Sequence, residues 1–133
     1  MNQETLHLTN IQYDEEFKAI ITAIDAMYAK NKPFWMLIET SQVRDIQPRY
    51  LYQISKYLNK IRKEYPRILQ YSRINVYDDF IFNLLYTLFI FLASPIAKVT
   101  VIYYEGGYPT TTTTTPTTST QPIKKIKEYF PRR

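Results

Sequence analysis

The chain has 133 residues, enough for one domain with appendages, and its formal charge of +5 divides unevenly. Residues 1–107 hold twelve Lys/Arg against eleven Asp/Glu and residues 108–133 hold five against one, so a basic nucleic-acid-binding domain is disfavoured. Cysteine is absent, which excludes disulfides and thiolate chemistry and favours an intracellular site; the start, Met-Asn-Gln-Glu-Thr, lacks the basic and apolar regions of a signal peptide.

Leu6 and Leu8 alternate with His7 and Thr9, predicting a half-buried strand over 5–11. Asp14, Glu15 and Glu16 supply a cap and first-turn acids. Phe17, Ile20, Ile21, Ile24, Met27 and Tyr28 follow at helical spacing, and Asn31 and Pro33 end that helix. The apolar run 34–39 predicts a central strand covered on both faces. After a polar loop over 41–47, Pro48 suits a first helical turn, where its missing N–H costs nothing. Leu51, Ile54, Leu58 and Ile61 then mark the buried stripe of a helix reaching about residue 64.

Pro66 breaks this second helix, and 73–77 predicts a third strand with Ile74 and Val76 inward. Asp78 and Asp79 cap a third helix over 80–94, and 98–105 reads as a fourth strand with Val99, Val101 and Tyr103 on one face. The order βαβαβαβ predicts an α/β fold: a small single-layer sheet of about four mainly parallel strands, three helices and a carboxyl-terminal extended tail. The expected division is a domain at 1–107, a Thr/Pro-rich linker at 108–122 and a short basic docking segment at 123–133.

The third helix is more apolar than one sheet contact requires, since an arc of about 100° suffices. Its excess, Phe82, Tyr86, Phe89 and Ile90, needs cover from neighbouring helices and the amino-terminal arm, from a partner or second copy of the chain, or from a membrane. Residues 80–97 carry no charge, at the lower edge of membrane-spanning length, but Asn83, Thr87, Ser94 and Pro95 interrupt the run and favour buried core. In the tail, a Thr/Pro tract cannot bury enough apolar area to order itself. Beyond it Ile123, Ile126 and Phe130 recur at i, i+3 and i+7 beside Lys124, Lys125, Lys127 and Tyr129, which predicts a two-turn amphipathic helix that folds only on a partner or an anionic membrane.

Catalytic chemistry is poorly represented. His7 is the only histidine and has no serine and acid placed around it. Glu39, Asp45 and Asp78 fall at the carboxyl edge of the expected sheet and could form a carboxylate site, although helix capping explains Asp78 more simply. Neither glycine lies between a strand and a helix, so no phosphate loop is expected; no cofactor or metal is implied. Arg44, Arg49, Lys56, Lys60 and Lys63 with Tyr50 and Tyr57 form the one candidate nucleic-acid patch, with Arg62, Arg67 and Arg73 nearby in sequence.

Residues 33–103 carry a further pattern. A hydrophobic strand ends Leu37-Ile38-Glu39-Thr40-Ser41, the loop Gln42-Val43-Arg44-Asp45-Ile46 follows, and a helix begins Gln47-Pro48-Arg49-Tyr50-Leu51. This resembles the STAS, or SpoIIAA-like anti-sigma-factor-antagonist, domain. The family's phosphoacceptor serine would fall at Pro48 or Arg49, neither of which has a hydroxyl. The resemblance implies a non-enzymatic protein-binding module whose contacts centre on the loop before the second helix, at Arg44 and Arg49.

The expected function is therefore a non-catalytic interaction or structural subunit of a larger assembly, such as a virion shell or an organellar complex, held by its tail and apolar helix. The alternative is a peripheral membrane or lipid-binding protein; single-stranded nucleic-acid binding ranks below both.

Overall fold

The structure, a computed structural model, describes residues 2–107 and 122–132. The expected Thr/Pro linker thus lies almost wholly outside the described residues. The elements run β1 (Asn2–His7), α1 (Asp14–Ala29), β2 (Phe34–Glu39), α2 (Pro48–Glu64), β3 (Leu69–Val76), α3 (Asp79–Thr87), a π-helical turn (Leu88–Leu92), β4 (Val99–Tyr104) and β5 (Ile123–Tyr129). The protein is α/β. Its sheet has the order β1-β2-β3-β4-β5, with the first four strands parallel and β5 antiparallel to β4.

That order decides where the core sits. Each parallel strand pairs with the next in sequence, and right-handed crossovers then put every helix on the same side. Ile38, Ile74 and Val101 accordingly meet Phe17 of α1, Leu51 of α2 and Ile81 of α3 in one cluster. Leu6, Phe34 and Met36 continue it against Ile24 and Tyr28 of α1 and Ile61 of α2. The expectation that β2 is covered on both faces is therefore corrected: Phe34 and Met36 are buried, while Trp35 and Leu37 are half-buried on the face that no helix meets. On that face Trp35 tilts against Tyr71 at 5.9 Å, Tyr77 stacks on Tyr104 at 5.6 Å, and Arg73 donates to the Tyr104 hydroxyl at 2.7 Å.

Strand β1 starts and ends earlier than expected. After Leu8 the chain leaves β2 for the loop before α2: Asn10 Oδ1 accepts from the backbone of Arg44 and Asp45, and Ile11 bridges Ile46. Ile11, Val43 and Tyr50 are fully buried beneath this crossing. Helix α1 starts beside a reciprocal cap, in which Glu16 Oε1 accepts from the amides of Gln12 (2.8 Å) and Tyr13 (3.0 Å). Its first residue is tied to α2 through Tyr50, whose hydroxyl donates to Asp14 at 2.7 Å.

The third helix departs from a regular wheel. Asp78 caps it as expected, accepting from the amide of Ile81 at 2.9 Å. Its last turn widens, so that Ala93 N–H donates to Leu88 O, five residues back, at 2.8 Å. The segment 123–130, expected as an amphipathic helix, is instead strand β5. Its register runs from Tyr104↔Ile123 to Val99↔Tyr129, and Tyr129 is buried. The physical reason is the edge that β4 leaves open, because its N–H and C=O groups need partners that a short helix could not supply.

Candidate functional site

Strand β5 carries the sheet past α3, and this geometry builds a surface. Alternation sends Lys125, Lys127 and Tyr129 to the helix side and Ile126 and Glu128 to the other. Only Tyr129 reaches cover, with its ring 5.2 Å from that of Phe89. Lys125 lies with Nζ 5.5 Å from the Phe82 ring centroid, and Lys127 5.7 Å from that of Tyr129, within the range of cation–π attraction.

The end of α3 and the π-helical turn add exposed aromatic groups on the same side of the sheet. Leu88 and Phe89, seven and eight residues after buried Ile81, turn into the core, and Ile90 and Phe91 turn outward. Phe91 is 71% exposed, and its ring meets exposed Tyr86 edge-on at 6.1 Å. The wider turn also alters the backbone bonding. Arg132 supplies Phe89 O with a guanidinium donor at 2.6 Å, while its own amide donates to Ser94 Oγ at 2.7 Å. A cation at a helix carboxyl end is favourable electrostatically as well. Phe130, between β5 and this strap, is exposed with Lys98 Nζ 5.6 Å from its ring, and Lys98 pairs with Glu128 at 2.6 Å.

Of the sequence-predicted residues, Phe82 and Lys125 come together, Lys127 stands by Tyr129 on the same side of the sheet, and Tyr86 and Ile90 are exposed at the end of α3, whereas Phe130 falls on the other face with Lys98. Phe89 and Tyr129 are corrected to core residues because each fills the space between the π turn and the sheet. Ile123 and Ile126 are exposed on the edge strand, and Lys124 lies with Nζ 4.8 Å from the Tyr103 ring. Arg44 and Arg49 are elsewhere, beyond the carboxyl ends of β2 and β3. Arg44 donates to Ser41 O at 2.7 Å, and Arg49 donates to the Tyr50 hydroxyl at 2.9 Å.

Phe91 and Phe80, both exposed, were missed. The signal was present: at 100° per residue Phe91 falls about 40° and Phe80 about 20° from Thr87, so both border the polar stripe of the helix.

The other candidate sites disperse. Asp45 Oδ2 accepts from Gln12 Nε2 at 2.9 Å, Glu39 Oε2 accepts from Asn75 Nδ2 at 3.2 Å, and Asp78 caps α3. Among the described residues no three His, Asp or Glu side chains gather as a metal site. The aromatic half of the nucleic-acid patch is corrected: Tyr50 and Tyr57 are buried, the latter donating to Asp25 Oδ1 at 2.6 Å, so neither offers a face for stacking. Exposed Tyr52, with Lys56 Nζ 4.7 Å from its ring, is the aromatic residue on that helix face. No helix among the described residues is long and apolar enough to cross a membrane.

Compared with protein-family models, with curated proteins and with solved structures, the chain matches none.

Proposed function

We propose that the protein is a non-catalytic interaction subunit that docks on an acidic protein partner through the α3–β5 surface. The observation that carries this reading is the outward pair Tyr86 and Phe91 with exposed Ile90, on the side of the sheet that Lys125 and Lys127 of β5 also face. Large apolar side chains gathered at a surface mark contact sites more often than accident does. The lysines favour acidic side chains at the rim of the contact. A STAS-like architecture would accord with a binding module, and assembly within a larger particle or organellar complex fits the same role.

Deletion of the tail is a poor test, since it removes β5 along with any contact. Surface substitutions separate the two. Native-source purification of the full chain should recover a stoichiometric acidic protein that is lost in Phe91→Asp and Lys125→Glu/Lys127→Glu and kept in Lys60→Glu. Equal recovery from all three variants would refute the reading. So would binding to phosphatidylserine vesicles, abolished by the same substitutions, without a protein partner.

A further inference from the structure

The helix layer does not close tightly on the sheet. A cavity of about 120 Å³ lies among α1, α2, α3 and the sheet, and a second of about 80 Å³ adjoins it toward the start of β3 and β4. The two share Ile24, Ile38, Leu58, Ile74 and Phe89 as walls, so they adjoin across these side chains beneath α2 as a larger and a smaller lobe. For scale, a cavity of about 150 Å³ lined by such side chains stays dry and takes up benzene or xenon. The larger lobe gives water little to bond. Thr40 donates to Asn75 O at 2.6 Å and Tyr57 donates to Asp25, so both polar side chains on its wall are already engaged. Ile20 of α1 and Leu85 of α3, also on its wall, are half-buried, which brings this lobe to the surface between helices.

The smaller lobe holds the second clue. Tyr28 lines it, only 6% exposed, and among the described residues its hydroxyl meets no hydrogen-bond partner. A buried tyrosine hydroxyl ordinarily finds one, because leaving it unpaired costs about 1–3 kcal/mol. Ser72 is the other polar side chain on this wall, and an apolar cleft with a few polar groups is the common form of a small-molecule site.

We infer that the two lobes join as one channel that binds a small amphiphile, an alkyl chain with one uncharged oxygen head group, and that the Tyr28 hydroxyl donates to that head. Burial pushes the phenol up to about 12, which keeps it a donor, and the same desolvation disfavours an ionised head. The site is separate from the α3–β5 surface and does not depend on its role.

Methyl NMR of the full chain titrated with octan-1-ol, and separately with benzene, tests the inference. Saturable shifts are expected at Ile24, Ile38, Leu58 and Ile74 with both probes. Tyr28→Phe should weaken octan-1-ol about fivefold, the worth of one neutral hydrogen bond, and leave benzene unchanged. Leu58→Trp, which fills the channel, should abolish both. The inference fails if neither probe saturates, if octan-1-ol shifts only Ile90, Ile123 and Ile126 on the surface, or if Tyr28→Phe leaves its affinity unchanged. Tyr28→Phe deletes one oxygen and keeps the ring, so the test stands even where Leu58→Trp does not fold.

Discussion

Tyr129 offers the most direct test of whether the carboxyl-terminal segment belongs to the fold. Its side chain is 4% exposed, its ring lies 5.2 Å from Phe89, and its hydroxyl is buried without a partner among the described residues. Truncating a buried aromatic to alanine costs about 3–5 kcal/mol. Removing an unsatisfied hydroxyl returns about 1 kcal/mol or more. Tyr129→Ala should therefore destabilise by about 2–4 kcal/mol, whereas Tyr129→Phe, which keeps the ring, should be neutral or stabilise by up to about 1 kcal/mol. In urea unfolding, at a slope of about 1.5 kcal/mol/M, the alanine variant should lose about 2 M in midpoint. If it unfolds within about 0.5 kcal/mol of the parent, β5 is not packed as a strand. A large loss in Tyr129→Phe would instead show that the hydroxyl is bonded.

Asp78→Ala removes the cap of α3 and should cost about 1 kcal/mol, measured by thermal or urea unfolding; Asp78→Ser should recover most of it. Arg132→Ala should expose Phe89 O and speed amide exchange in the π turn, with a loss of about 1–2 kcal/mol for a charge-assisted bond. Burial first, and then the Asp79 hydrogen bond, raises Tyr103 to about 12; burial does the same for Tyr28. The folded form holds these protons more tightly than the unfolded chain. Their contribution is thus complete below pH 10 and should fade between pH 10 and about 12, seen as a falling urea midpoint across that window. Phe91→Asp should leave the unfolding free energy in urea within about 0.5 kcal/mol of the parent, because the ring it replaces touches solvent.

The sequence disclosed what depends on neighbours along the chain. Helices α1 and α2 follow from spaced apolar residues, and Pro48 marks the start of the second. Pro33 and the apolar run 34–39 set the bounds of β2, and Asp78 is the cap it was expected to be. The misreadings share a different cause. Lys125, Lys127 and Tyr129 alternate as a strand, yet Ile123, Ile126 and Phe130 also satisfy a helical spacing, and only the open edge of β4 decides between them. Likewise Trp35 reads as doubly covered until the strand order shows that all crossovers lie on one side. Phe91, by contrast, was legible, since it follows Thr87 of the polar stripe by four residues and shares its exposed face. In the candidate site, the lysines and Tyr86 were legible as residue types. That Lys125 lies over Phe82 was not, because it needs β5 paired on the open edge of β4.

The pairing of β5 also changes what the Thr/Pro tract must do energetically. Its ends are fixed at Glu105, whose amide donates to Pro122 O at 2.8 Å, so residues 106–121 close a connection between two adjacent antiparallel strands. Closing a chain loop costs entropy that grows only logarithmically with length, and each halving returns about 0.6 kcal/mol. A chain whose tract is cut to half should then be as stable as the parent or better by about 0.6 kcal/mol. Its binding through Phe91 should also be unchanged, since neither strand end moves. A loss of 1 kcal/mol or more, on the order of one buried side-chain contact, would mean that the tract holds the sheet rather than merely spanning it. Unchanged stability with lost partner recovery would place a binding element in the tract and return the tether reading to it.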